Sequence, residues 1–184
     1  MRQITQLVGK LRAIGLHAAF LGEIPILGTS YMPQQIVTQG IAADGVPSFQ
    51  RFTASLRECR RVLRPGGVVC LRAGTSEQSG NYAYVPLFPT ARKIIQQSLP
   101  SKSLIEAQFT TDGFAVAAHE LVSSEVGENW SAYADKVAYR ADSILVQLPD
   151  HEFAEGLTAL RTHASKAKGA HPVVEPVDFF VFRA

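Results

Sequence analysis

The run Leu56-Arg57-Glu58-Cys59-Arg60-Arg61-Val62-Leu63-Arg64-Pro65-Gly66-Gly67-Val68-Val69 decides the fold. Phe49, Phe52, Leu56, Cys59 and Leu63 recur at helical spacing, so they share one face of a helix that Ser48 can cap. Arg64-Pro65-Gly66-Gly67 stops that helix, because proline cannot continue it and paired glycines permit a sharp reversal. Val68 to Leu71 is then a continuous apolar run between turn signals, the pattern of a strand covered on both faces. Helix, tight turn and buried strand together make half of a parallel α/β unit.

Outward from this unit, the same reading predicts elements on both sides. Toward the N-terminus, Ile4, Leu7, Val8, Leu11 and Ile14 predict a helix over 2–14, closed by Gly15. Leu16 to Leu21 and Gln35 to Ile41 read as strands. Toward the C-terminus, 74–80 reads as a loop, followed by helices over 90–99 and 102–111. A strand over 114–122 follows, then a helix over 130–148, a second helix capped by Asp150 and running to about 163, a linker over 166–172 and a final strand over 177–182. Alternation of this kind predicts an open α/β sheet, with a long helical insertion before the last strand.

Composition narrows the class. The 184 residues fit one domain, and 46% hydrophobic with 18% charged residues is globular rather than disordered. A net charge of +2, with signs mixed along the chain, argues against nucleic acid as a partner. No stretch reaches the roughly 18 apolar residues of a membrane span, and Arg2, Lys10, Arg12 and His17 interrupt any apolar run near Met1, so no signal peptide is expected there. Cys59 and Cys70 lie in apolar segments without metal-ligand spacing, which predicts buried, reduced thiols, no metal centre and a cytoplasmic setting.

The run Arg61 to Gly67 resembles the R-V-L-R-P-G-G step of class I (Rossmann-like) S-adenosylmethionine-dependent methyltransferases, where a helix ends and the fifth strand begins. Under that resemblance, 16–21 corresponds to the third strand, 35–41 to the fourth, Asp112-Gly113-Phe114 to the step before the sixth, and 177–182 to the seventh, which runs antiparallel to the rest. The segment with Trp130-Ser131-Ala132-Tyr133-Ala134 and Arg140-Ala141-Asp142-Ser143 is similar to an insertion in the type 11 small-molecule group. The implied architecture is an open, mostly parallel sheet with helices on both faces. It forms a single domain over 1–184 that lacks the first two strands, with an insertion or lid at about 125–170. The family's acidic-x-G-x-G-x-G loop has no counterpart in the sequence.

The resemblance also implies sites. Glu23, flanked by Gly22 and Ile24, corresponds to the acidic step near the adenine of S-adenosylmethionine. Gln39 and Gly40 end the fourth strand, where open α/β sheets bind ligands. Arg72 ends the fifth strand, where its guanidinium can hold a substrate carboxylate or phosphate, or else form a surface ion pair. Tyr82, Phe88, Trp130 and Tyr133 can form an aromatic lid over a small-molecule substrate, or simply fill the space between insertion and sheet. His119, His151 and His163 are isolated in sequence, and no residue is assigned as catalytic. The expected activity is methyl transfer to a small molecule by an incomplete chain. The alternative is an inactive methyltransferase-like binding protein, with a homodimer formed through an exposed sheet edge.

Overall fold

A computed structural model of the chain describes residues 18–21 (backbone only), 53, 56–167 and 171–184. The helix read over 2–14, the strand read over 35–41 and the start of the helix at Ser48 lie outside the described residues. So do Gly22, Glu23, Ile24, Gln39 and Gly40.

The described elements, in chain order, begin with strand β1 (Ala18–Leu21), helix α1 (56–62) and strand β2 (Val68–Ala73). Helices α2 (Pro89–Ser98) and α3 (Lys102–Thr111) lead to strand β3 (Ala115–Gly127). Helices α4 (Trp130–Ala138) and α5 (Asp150–Lys166) then precede strand β4 (Val173–Arg183). Leu56, Cys59 and Leu63 of the opening motif are buried as their spacing predicts. Gly66 takes a left-handed φ of 74°, and the Gly67 N–H donates to the Arg64 carbonyl at 2.8 Å, so the reversal is a hydrogen-bonded turn that favours glycine.

The four described strands form one sheet in the order β1-β2-β4-β3. β1 pairs with β2 in parallel, while β4 is antiparallel to both β2 and β3. Three strands therefore run one way, and the reversed last strand lies between two of them. This agrees with the expected reversal of the final strand. It corrects the mostly parallel expectation, because two of the three described ladders are antiparallel. The segment read as the third strand pairs directly with the segment read as the fifth, with Ala18 opposite Val68.

Two apolar cores hold the sheet. On one face, Val69, Leu71, Phe180 and Phe182 pack with Leu56, Cys59, Ile105, Phe109 and Phe114. The Phe109 and Phe182 rings stack with centroids 3.6 Å apart. The second core joins residues 84–99 to the insertion, through Phe88, Ile95, Tyr133, Val137, Leu145 and Leu160. Ser101 caps α3 by accepting from the Leu104 N–H at 3.1 Å, and Asn129 caps α4 by accepting from Ala132 at 2.9 Å.

The insertion differs from the sequence reading in detail. The helix expected over 130–148 ends at Ala138, because Arg140 adopts a left-handed φ of 49°, and a short 3-10 turn follows at Leu145–Gln147. Asp150 does not cap the next helix. Pro149 holds that position, and Asp150 lies in the first turn, paired with Arg140 at 2.6 Å. β3 and β4 are longer than expected, since each continues alongside the other for more than ten residues. β3 is one of the two edge strands of the described sheet, and its Val116 and Leu121 side chains are exposed. Among the described residues, no helix is long and apolar enough to cross a membrane.

Candidate functional site

Polar side chains collect at the carboxyl end of β2, on both faces of the sheet. The pleat sends Arg72 to one side and Ala73 to the other, with partners Phe179 and Asp178 across the ladder. On the Arg72 side, the guanidinium donates to the Ser124 hydroxyl of β3. Burial pulls Arg72 below its usual range, opposed by the nearby Tyr82 and Glu175.

Glu175, on the same face of β4, is the centre of this side. Its Oε1 accepts from the Ala83 N–H at 2.7 Å and from the Tyr133 hydroxyl at 3.0 Å. One carboxylate oxygen thus ties β4 to the segment after β2 and to helix α4. Burial raises the Glu175 carboxyl above its ordinary value, the two donated hydrogen bonds pull it back, and Asp142 adds repulsion. Burial likewise raises the Tyr133 phenol, helped by the charge of Glu175.

The aromatic residues of the second core form two sets of ring contacts. Tyr82 lies 5.8 Å from Tyr84, Tyr84 meets Phe88 edge-on at 5.9 Å, and Trp130 meets Tyr133 edge-on at 5.9 Å. Tyr84 is 3% exposed, and its hydroxyl is the one buried side-chain polar atom among the described residues that has no hydrogen-bond partner. An orphaned buried hydroxyl costs about 1–3 kcal/mol.

On the opposite face, Asp178 bridges two groups. Its Oδ2 accepts from the Thr75 hydroxyl at 2.7 Å, and its Oδ1 lies 2.6 Å from His119 Nε2. Asp178 is 1% exposed, so the pair joins the loop after β2 to the edge strand from within the core.

The structure brings Arg72, Tyr82, Trp130 and Tyr133 of the expected substrate residues to one region, around Glu175. Tyr82 and Trp130 are half-buried and edge the second core. Phe88 differs from them. It is fully buried, packed against Gly156 of α5 and the Phe153 ring, so its place is in the filling between insertion and sheet. His119 has a partner after all, while His163 stacks edge-on with Trp130 at 4.4 Å. Both cysteines are buried, and burial pushes each thiol up to about 11, the inert pair that the sequence predicts.

The sequence reading missed Glu175 and Asp178. Val173, Glu175 and Val177 alternate, and so do Asp178 and Phe180, so starting the last strand at Val173 turns both acids toward covered faces. Among the described residues no cluster of three His, Cys, Asp or Glu side chains could hold a metal ion.

No family model matches the chain, and no curated protein matches it. Among solved structures, it is similar to the cyclopropane synthase MmaA2 from Mycobacterium tuberculosis, at 17% identity over 74% of this chain and 50% of that one, with a TM-score of 0.34. It is also similar to a mycolic acid cyclopropane synthase complexed with SAH and CTAB, at 13% identity over 100% and 86% of the two chains, with a TM-score of 0.38. A phosphoethanolamine-type N-methyltransferase from Haemonchus contortus is similar at 13% identity over 71% and 29%, with a TM-score of 0.30. The chain spans about half the length of the first of these. With TM-scores this low, the likenesses carry no weight in the functional reading.

Proposed function

We propose that the chain serves S-adenosylmethionine-dependent methyl transfer to a small molecule, with the carboxyl end of β2 as the acceptor end. The observation that carries this reading is the gathering of Arg72, Tyr82, Tyr133, Glu175 and the orphaned Tyr84 hydroxyl beyond β2, the position where open α/β sheets bind ligands. The helix–turn–strand motif at Arg61 to Gly67 supports the same family. Trp130 and Tyr82 would line the mouth of the site, and Arg72 would hold an anionic or hydroxyl group of the acceptor.

The cofactor supplies an electrophilic methyl group when bound. The contacts that the resemblance assigns to it, Gly22, Glu23, Ile24, Gln39 and Gly40, lie outside the described residues. The described polar groups near β2 largely satisfy one another. The single orphaned hydroxyl is too little to cradle an adenosyl group. The described residues therefore bear on the acceptor alone.

A second reading is favoured by one observation: no acidic-x-G-x-G-x-G run exists in the sequence. On that reading the chain is a non-catalytic methyltransferase-like binding protein. Calorimetric titration of the 184-residue chain with S-adenosylmethionine separates the two. Micromolar binding overturns the second reading, whereas a folded chain that takes up no cofactor favours it over the first.

A further inference from the structure

β3 is open along its outer side. Among the described residues no strand lies beyond it, and its 13 residues make it far longer than the four-residue β1 at the other edge. Such an edge presents unpaired N–H and C=O groups to any strand that can match them. Lysine and proline, the usual guards of an edge, are absent from Ala115–Gly127. Register shifts fall between Val116 and Ala118 and between Glu125 and Gly127, so residues 118–125 form a regular ladder bounded by two irregular ends. Apolar surface adjoins this window. Leu121 is 54% exposed, and so is Val174 of β4, which lies on the same face of the sheet.

The window matches itself. In an antiparallel pairing about a two-fold axis, directly opposite residues lie on the same face, and only a centre at Leu121 or at Val122 uses nearly the whole window. Centred on Leu121, the Glu120 carboxylates of the two copies become diagonal neighbours, about 7 Å apart, and Glu125 meets the irregular end of the other strand. Centred on Val122, Glu125 faces His119, Glu120 faces Ser124, and Leu121 faces Ser123. Each carboxylate of the strand then lies opposite an imidazole or a hydroxyl, and the two Leu121 side chains become the diagonal neighbours instead. His119 holds Asp178 through Nε2, which leaves Nδ1 for Glu125 of the second copy.

We propose that β3 is a homodimer interface, in which two copies of this chain pair their β3 strands antiparallel about a two-fold axis at Val122 and join their sheets into one. The pairing satisfies the open backbone edge and covers Leu121 in both copies. It is independent of methyl transfer, so the cofactor titration does not bear on it.

Sedimentation velocity of the 184-residue chain is expected to show a species of twice the chain mass, whose share grows with concentration. Leu121→Lys, at an exposed position, is expected to sediment as a monomer with an unchanged circular dichroism spectrum. Single cysteines read the register. Val122→Cys is expected to form a disulfide-linked dimer under mild oxidation at least about tenfold faster than Leu121→Cys, because directly opposite residues come within disulfide reach and diagonal ones do not. Cys59 and Cys70 are buried and do not compete. A wild-type chain that stays monomeric up to its solubility limit, a folded Leu121→Lys protein that still dimerises, or a Leu121→Cys link as fast as that of Val122→Cys overturns the proposal.

Discussion

A single arginine sets the geometry of the insertion. Arg140 follows α4 in a left-handed backbone conformation that costs a non-glycine residue about 1 kcal/mol. Its side chain offsets that cost. The guanidinium donates to the carbonyls of Leu145 and Leu148, pairs with Asp150 at 2.6 Å, and lies 4.6 Å over the Phe153 ring. It thereby closes the chain between α4 and α5, which explains why a helix read straight through 130–148 breaks where it does. Arg140→Ala removes these bonds and keeps the strain, so it is expected to lower unfolding free energy by about 1–3 kcal/mol. Arg140→Gly loses the same bonds but relieves the backbone, and is expected to recover about 1 kcal/mol relative to alanine. Equilibrium denaturation of both variants measures the difference. If alanine and glycine unfold at the same denaturant concentration, the left-handed residue is not strained.

At the scale of elements, two glycines illustrate different constraints. Gly66 needs its conformation: a Cβ there would meet nothing within 4 Å, yet φ is 74°. Gly156 needs its space: a Cβ there would lie 2.5 Å from the Phe88 ring and 2.8 Å from the Leu87 carbonyl, where α5 rests on residues 85–88. Both Gly66→Ala and Gly156→Ala are expected to destabilise, by about 1–3 kcal/mol. A smaller side chain at position 88 separates them. In a double-mutant cycle, Phe88→Leu is expected to couple favourably with Gly156→Ala and to be additive with Gly66→Ala. Additivity in both cycles would show that α5 is not seated on Phe88. The first of these glycines was legible in the sequence, because Pro-Gly-Gly after an apolar helix face has a local meaning. The second was not, since Gly156 sits in the middle of α5 and its reason is a neighbour 68 positions away. The same divide runs through the elements. α3 matches its expected bounds, 102–111, because a serine cap and a closing Asp-Gly define both ends locally. β3 and β4 outran theirs, because their outer halves are held by pairing with each other rather than by an apolar pattern.

For the whole molecule, the sheet's layered character was readable and its connectivity was not. Apolar runs locate strands, but only pairing reveals that β1 adjoins β2 directly and that β4 lies between β2 and β3. The candidate site follows the same logic. Arg72, Tyr82, Trp130 and Tyr133 were visible as chemistry-bearing residues near strand or helix ends, while Glu175, which organises them, was hidden at the start of a strand whose length depends on its partner. Because Glu175 ties β4 to α4 and to the segment after β2, its ionisation acts on the stability of the entire fold. Burial sets its native carboxyl above the ordinary value of 4.5, so the folded state holds this proton more tightly than the unfolded chain. The contribution is fully present below 4.5 and is lost as pH rises through the native value. Glu175→Gln keeps an oxygen to accept from Ala83 and Tyr133 but cannot titrate. The wild-type thermal midpoint is therefore expected to fall relative to that of Glu175→Gln as pH rises from 4.5 toward neutrality, and to level off above the native value. Calorimetric scans of both proteins across that range measure the gap. A gap independent of pH would mean that the Glu175 carboxyl titrates alike in the folded and unfolded chains.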